Sequence, residues 1–525
     1  MKVISVPPPL GLWTTVRSVG VFNVACSFGA LWAFVKVLRV LRWRLKTTQL
    51  QGPPRTSFIY GVSHDLTSSK DSGGMYECWA TEYGVAYMIP SVLGQTRITP
   101  LSLAFLEISI GRGLLWSERE DHRRQRKSLT PAFSNAAIRK LTSVFYDTAY
   151  KAKCAWDNAI ESGNGGDAII EVQSWMNHIS LDTIGIAGFS HDFGSLDGKR
   201  ASVTEVFDTF GTSQQASAVN KIFTLLASAF PIIIKMPTKR TNLFKKLSIT
   251  MGKISSDLLI RSRRESHINM SERDEEKSII GLLIKSEGLD VELRMSEEEV
   301  MARMKVLLIA GYETTSISLT WALIELSRHL DVQTSLREEL LAFGADPTYD
   351  QLKANLPYLD AIIHEILRLH PPVGEFTRVA AEDDVIPLSE PVRTESGEMA
   401  DSISIAKETL ITISSAAINR SSTIWGPDAK EFKPDRWLTE DGISGKSKEV
   451  QGHRHLLTFV DGPRTCLGKD FAITEFKTVL LVLVKNFVFE MRDGPDTPIE
   501  VVRGILPRPR CWRGRYRGTF ESPSV

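Results

Sequence analysis

At 525 residues the chain is long enough for several ordinary domains or one unusually large one. Its 42% hydrophobic content supports a sizeable core, and a formal net charge of +1 leaves no electrostatic footprint for nucleic acid. The five cysteines (Cys26, Cys78, Cys154, Cys466 and Cys511) are odd in number, widely separated and without any C-x-x-C. That argues against a disulfide framework or a zinc site and suits a reducing compartment.

Residues 19–35 are apolar apart from Asn23 and Ser27. Seventeen residues is the short end of a membrane span, which Lys36 lengthens by snorkelling. A cleaved signal peptide competes, but eighteen residues precede the run and no small-x-small cleavage site follows it. Lys36, Arg39, Arg42, Arg44 and Lys46 outnumber the upstream Lys2 and Arg17, so the downstream mass is expected on the cytosolic side of a single-span anchor. Gln51-Gly52-Pro53-Pro54 then makes a stiff exit. The expected division is an anchor and basic flank at 1–46, a proline-rich hinge at 47–55 and one large domain at 56–525.

Residues 76–110 read as a short amphipathic helix, Tyr76 to Tyr83, followed by strands around 85–89 and 95–99. Glu120 to Ser134 is dense in cations, a pattern that is usually a solvated face. From 136 to 295 helices succeed one another, with turns at 163–166 and 194–198. Ile222 to Met236 is strongly apolar, broken by Pro231 and followed by Lys239 and Arg240; a core helix accounts for it as it stands.

Ser296 opens the clearest helix, with Glu299 completing a capping box. Running to about His329, it spans roughly 50 Å. At 100° per residue Leu307, Ala310, Gly311, Thr314 and Ser318 share one face, small and hydroxylated within a bulky helix. A threonine bonded back to the Ala310 carbonyl is the ordinary account of Thr314. Pro357 starts the next helix and Pro371-Pro372 end it, with Glu365 and Arg368 three apart on one side. Alternation from 379 to 418 is strand-like, and 394–401 and 440–452 read as surface loops.

Phe459 to Gly468, F-V-D-G-P-R-T-C-L-G, sets a single cysteine between two glycines, just after an arginine and before an apolar helix at Phe471 to Val484. A loop that delivers Cys466 to a helix N-terminus places its thiolate near unpaired N–H groups. A buried structural cysteine is the commoner reading, but packing alone requires neither Gly462, Gly468 nor Arg464. F-x-x-G-x-R-x-C-x-G resembles the haem-ligand loop of cytochromes P450, with all five fixed positions present.

The resemblance covers about residues 45 to 510. It implies a mainly α cytochrome P450 fold with a small β-rich subdomain behind an N-terminal transmembrane helix, and haem b as cofactor with Cys466 as axial iron ligand. Phe459, Arg464 and Gly468 belong to the ligand loop. Ala310, Gly311, Glu313 and Thr314 match the oxygen-activation motif A/G-G-x-D/E-T, where small residues leave room for dioxygen and Glu313 and Thr314 manage protons. In the family W-x-x-x-R the two side chains reach the haem propionates; the register here falls on His122 and Arg126, with histidine in place of tryptophan, and Trp116 is not the match because Glu120 stands four residues on. Arg378 matches a second propionate-binding arginine, and Val373 to Thr377 line the pocket. Glu365, Arg368 and Arg436, the last within F-K-P-D-R-W, are implied to lock the core behind the haem. The segment at 51–54 resembles the family's proline hinge, and 222–236 falls where the family keeps its substrate-entry lid.

The implied activity is a haem-thiolate monooxygenase acting on a lipophilic small molecule. Features of the anchor and of the 122–134 segment look like fungal microsomal members, which points to a terpenoid or related secondary metabolite and to the endoplasmic reticulum membrane. Without a nicotinamide or flavin fingerprint, electrons come from a partner. Arg123, Arg124, Lys127, Lys433 and Lys469 suit an acidic flavoprotein such as NADPH-cytochrome P450 reductase, with cytochrome b5 as a further candidate. The rivals are a P450-type isomerase or dehydratase that does not use O2, and a non-catalytic haem-binding protein; neither needs the intact acid–threonine pair.

Overall fold

A computed structural model describes residues 40–58, 60–69, 71–90, 110–163, 167–199, 278–281, 297–503 and 506–511, with scattered positions in 23–38, at 107 and in 242–260. The chain is mostly helical with small two-stranded sheets. It divides into a smaller unit (Met1–His64, Cys78–Arg97, Thr377–Ile411) and a larger one (Asp65–Glu77, Ile98–Phe376, Thr412–Val525).

Of the expected membrane span, residues 19–22, 24, 25, 28, 32 and 33 lie outside the described residues; the others are helical and almost all exposed. Among the described residues one helix is long and apolar enough to cross a membrane, Glu298–Arg328, and most of it is buried in protein. Within the smaller unit the end of the basic flank is tied down. Lys46 Nζ donates to Asp383 at 2.5 Å, the Trp43 indole donates to Thr409 Oγ1 at 3.0 Å, and Thr48 N donates to the Ser404 carbonyl at 2.9 Å. Gly52 is demanded by close approach, since a Cβ there would lie 1.9 Å from the Met88 carbonyl oxygen.

The helix expected at 76–83 is α1, Ser72–Tyr83. The strand expected at 85–89 does not form. Its described backbone is irregular, and Met88 N makes a single bond to the Gln51 carbonyl at 3.0 Å with no ladder beyond it. The strand expected at 95–99 lies outside the described residues. β1 (Phe376–Val379) pairs with β4 (Leu410–Ile413). β2 (Asp384–Arg393) pairs antiparallel with β3 (Met399–Ile405), so the loop expected at 394–401 is a turn only as far as Glu398. The register shifts between Pro387 and Val392, where Pro391 cannot donate to the ladder.

In the larger unit the long helices are α2 (Arg119–Leu129), α3 (Asn135–Ser162), α4 (Val172–Phe189), α5 (Glu297–Arg328), α6 (Leu330–Phe343) and α7 (Pro357–Leu369). They are followed by a short α8 (Ser415–Arg420), by α9 (Lys469–Asn486) and by the hairpin β5 (Ile499–Arg503) and β6 (Pro507–Cys511). The strand-like reading to 418 fails at α8, where the Ser414 side chain accepts from Ala417 N and caps a helical turn. Ser296, the expected cap of α5, lies outside the described residues, as does the apolar segment 222–236.

Two apolar clusters hold this unit. One joins Leu319, Leu323 and Leu326 of α5 to Leu336 of α6, Ile362 and Ile366 of α7 and Val479 to Val484 of α9. The other joins Phe145 of α3, Leu181 and Ile184 of α4, Met304, Leu308 and Tyr312 of α5, and Phe471 of α9. Each such side chain contributes about 1.5–3 kcal/mol when fully buried. The second cluster matters for the site, because Leu467 and Leu307 pack on its margin and so bring the cysteine loop to the middle of α5.

Candidate active site

The cysteine loop is closed by its own backbone. Cys466 N donates to the Phe459 carbonyl at 2.8 Å, and Thr465 N donates to the Gly462 carbonyl at 3.0 Å. Gly462 sits at φ +72°, a conformation that asks for glycine, and Val460 is forced to φ 59° two residues earlier. Gly468 has φ −86° and room for a Cβ at 3.6 Å from Phe133, so neither backbone nor packing within the chain explains it. Phe459 packs on the first cluster with its ring edge-to-face on His453.

Cys466 is exposed, yet burial pushes its thiol up while the Gly468 N–H, Arg126 and Lys469 pull it down. An open side chain set deep among protein atoms lies in a recess. Burial is the larger influence and leaves the thiol raised, and the donor and cations around it offset part of that. This fits an axial sulfur ligand of haem iron.

Around the loop stand the residues of α2. Arg126 Nη1 donates to the Thr465 carbonyl at 2.7 Å. Arg464 Nη2 donates to the Ser117 carbonyl at 2.9 Å and to Glu118 Oε2 at 2.7 Å. His122 is buried, and burial together with Arg464 and Arg126 keeps it from taking a proton, against the pull of Glu118. Two guanidiniums, each with donors left over among the described residues, and an imidazole thus share one place, a set suited to carboxylates such as haem propionates. Arg378 lies on β1, in the smaller unit. It is exposed and donates to the Thr377 carbonyl at 3.2 Å.

On α5, Ala310 is exposed and Gly311 and Thr314 are half-buried within an otherwise covered helix. Thr314 Oγ1 donates to the Ala310 carbonyl at 2.6 Å, the back-bonded state open to any helical threonine. The missing Cβ of Gly311 makes room for α4 in the first place, since a Cβ there would lie 2.8 Å from Ile184 Cγ1. Glu313 is fully buried and points elsewhere: Oε1 pairs with Arg508 of β6, and Oε2 has no partner among the described residues.

Behind the loop, Glu365 receives Arg368 Nε and Nη2 at 2.8 Å each, Arg436 Nε at 3.0 Å, Lys433 N at 3.0 Å and Trp437 Nε1 at 2.9 Å. Arg368 Nη1 goes on to the Asn419 carbonyl at 2.9 Å. Asn419, fully buried on α8, donates to Thr458 Oγ1 at 3.0 Å and accepts from Leu457 N at 3.2 Å. The lock therefore reaches the strand of chain that begins the cysteine loop.

Sequence reasoning missed Asn419, Glu118, Trp437 as a donor, and Arg508. Only Ser414 ahead of two alanines signalled α8, and nothing marked Arg508. The expected basic patch is largely spent within the chain. Arg124 pairs with Glu299 at 2.5 Å, Lys433 with Asp428 at 2.8 Å, Lys469 with Asp470 at 3.7 Å and Arg123 with Glu120 at 3.8 Å; Lys127 is exposed.

Residues 94–510 match the family model described as Cytochrome P450. The chain is 53% identical over 522 residues to cytochrome P450 monooxygenase claQ of Ampulloclitocybe clavipes, covering 95% of this chain and 97% of that one. It is 34% identical to cytochrome P450 monooxygenase 128 of Postia placenta, over 93% and 94% of the two chains, and 34% identical to ganoderic acid synthetase CYP5150L8 of Ganoderma lucidum, over 74% of each. Among solved structures, the crystal structure of a cytochrome P450 (CYP102L1) superimposes with a TM-score of 0.60 at 21% identity, covering 78% of this chain and 82% of that one, which speaks to the fold.

Proposed function

The chain belongs to the cytochrome P450 monooxygenase family, whose cofactor is haem b, and we propose that it is a membrane-anchored fungal enzyme hydroxylating a lipophilic secondary metabolite of the terpenoid kind. The observation that carries the reading is the Cys466 recess, a thiol open to a ligand, held by a backbone-closed loop and surrounded by Arg126, Lys469 and the Gly468 N–H. The substrate class is supported by the fungal relatives, one of which is named for the synthesis of ganoderic acid.

When bound, haem b supplies the activation of dioxygen, placing one oxygen atom in the substrate and the other in water with two electrons and two protons. The chain's residues do the rest. Cys466 Sγ would bind the haem iron, the Gly468 N–H, Arg126 and Lys469 offsetting part of what burial costs its thiolate. Arg126, Arg464 and His122 would hold the propionates, the arginines through their forked donors. Ala310 and Gly311 keep the groove narrow but open, and Glu313 and Thr314 Oγ1 hold and pass protons. Glu365, Arg368 and Arg436 keep the proximal side rigid.

A redox partner and a lipophilic substrate follow from the family. NADPH-cytochrome P450 reductase is the proposed donor, with cytochrome b5 as a second, docking on the face where Lys127 is exposed. Residues 1–46 anchor the enzyme in the endoplasmic reticulum membrane as a single span, and 47–55 orient a cytosolic catalytic domain.

The test is spectroscopic and isotopic. Reduced protein with carbon monoxide is expected to show the red-shifted Soret band of a thiolate-bound haem, and Cys466→Ala to lose it; retention of the band in that variant overturns the ligand. Product formed with reductase and NADPH carries oxygen from labelled O2; unlabelled product sinks the monooxygenase reading and leaves the haem assignment standing.

A further inference from the structure

Glu118 stands where α2 wants a cap and does not serve as one. It is the N-cap residue, at φ −124° and ψ 160°, and its carbonyl accepts from His122 N at 3.2 Å in the ordinary way. Its side chain makes no capping bond to the first turn. Arg119, the next residue, is driven to φ 51°, a left-handed conformation that residues other than glycine seldom adopt. A missing cap and a strained residue thus fall together at one helix start. What they secure is a contact with the cysteine loop: Glu118 Oε2 accepts from Arg464 Nη2 at 2.7 Å, the two residues standing 346 apart in the chain.

Stability does not account for this contact. The Glu118 side chain is 68% exposed and that of Arg464 28%, and ion pairs so open to water contribute little to folding. Its effect on Arg464 is geometric. The same Nη2 also donates to the Ser117 carbonyl at 2.9 Å, so both of its hydrogens are engaged. Ser117 is itself fixed, its N–H bonded to the Gly113 carbonyl at 3.0 Å and its hydroxyl to the Leu114 carbonyl at 3.2 Å. Two consecutive residues therefore grip one nitrogen of the guanidinium. The Nε and Nη1 hydrogens of Arg464 have no partner among the described residues.

We propose that Glu118 is a positioning residue: it aims Arg464 so that the free Nε and Nη1 donors meet a haem propionate. This rests on the reading of Arg464 as a propionate partner. The guanidinium is planar, so fixing Nη2 fixes the directions in which the other two nitrogens point. An ungripped arginine side chain rotates about several bonds and loses that freedom only when the ligand binds. Glu118 removes it beforehand, which is preorganisation of a binding donor. The carboxylate also acts on the imidazole beside it, favouring a proton on His122 that burial, Arg464 and Arg126 oppose.

The experiment measures haem transfer to apomyoglobin, and the propionate bending mode by resonance Raman, in the haem-loaded full chain. It compares wild type, Glu118→Ala, Glu118→Gln, Arg119→Gly, Arg464→Gln and the double variant Glu118→Ala/Arg464→Gln. Glu118→Ala is expected to speed transfer several-fold and to shift the bending mode. Glu118→Gln keeps an acceptor oxygen of the same reach and should fall between Ala and wild type. Adding Glu118→Ala to Arg464→Gln should change little further, since the carboxylate acts through that arginine. Arg119→Gly relieves the left-handed residue and should transfer haem at the wild-type rate. If Glu118→Ala transfers at the wild-type rate, or keeps its full effect in the Arg464→Gln background, the positioning role is overturned. It is overturned also if Ala and Gln both slow transfer, because Glu118 then only repels the propionate. Arg119→Gly loosening haem as much as Glu118→Ala would assign the aim to the turn and overturn it likewise. If Arg464→Gln itself alters neither transfer nor bending mode, the propionate reading beneath the proposal fails instead. Should Glu118→Ala not fold, Glu118→Asp, one methylene short of Arg464, replaces it with the same expected directions.

Discussion

Arg126 Nη1 reaches the carbonyl of Thr465 at 2.7 Å, so a cation from α2 holds the peptide immediately before Cys466. The same guanidinium favours the Cys466 thiolate and disfavours protonated His122. Hydrogen bonds to a charged group contribute about 1.5–3 kcal/mol. Arg126→Met is therefore expected to weaken haem retention by roughly ten- to a hundredfold, with Arg126→Lys intermediate. Haem transfer to apomyoglobin measures this, and an unchanged transfer rate contradicts it.

Gly311→Ala should destabilise the fold by about 1–3 kcal/mol, because its methyl would meet Ile184 Cγ1 and Cδ1 at 2.8 and 2.9 Å. Combining it with Ile184→Ala removes both atoms. The pair should then cost less than the sum of the single changes in urea melts of the holoenzyme; strict additivity denies the contact.

Glu365→Gln leaves Arg368 and Arg436 buried without their shared carboxylate, a loss of about 3–5 kcal/mol. Trp437→Phe removes a single donor and should cost only about 1 kcal/mol. Comparing haem incorporation on expression and the urea midpoint tests the ranking. Equal effects would mean that the carboxylate charge is not what holds this layer.

His453 is pushed down to about 3 by burial, helped by His364, Lys469 and Arg454. Its Nε2 lies 3.2 Å from His364 Nε2. An unfolded histidine titrates near 6.5, so below that pH the unfolded chain binds the extra proton. The contribution of neutral His453 is thus complete above about pH 6.5 and is lost progressively as pH falls towards about 3. His453→Phe should flatten the acid limb of stability between pH 7 and 5, read from thermal melts; an unaltered limb assigns the sensitivity elsewhere.

Much of the architecture was legible because its signals are local. Helical periodicity with Pro357 at its start gave α7, and the apolar run after Gly468 gave α9. The strand expected at 85–89 and the continuation to 418 misread short apolar stretches. Short stretches carry too few repeats of any period to decide between strand and loop, and at the end of the second a single cap at Ser414 outweighed the alternation. Asn419 shows the cost: standing just past a stretch read as strand, with no helix expected there, it could not be recognised as the link between Arg368 and Leu457.

The sequence by itself determined the chemistry of the centre. Five fixed positions around Cys466 and an acid next to a threonine on a long helix are patterns of covalent neighbours, and such spacing survives without a fold. Only the tertiary structure decided which way those groups face. Gly311 answers to Ile184, Arg464 to Glu118, and Glu313 to Arg508 from nearly two hundred residues away. The physical reason is that burial makes every polar atom find a partner, and which partner lies within reach depends on how distant helices and hairpins pack.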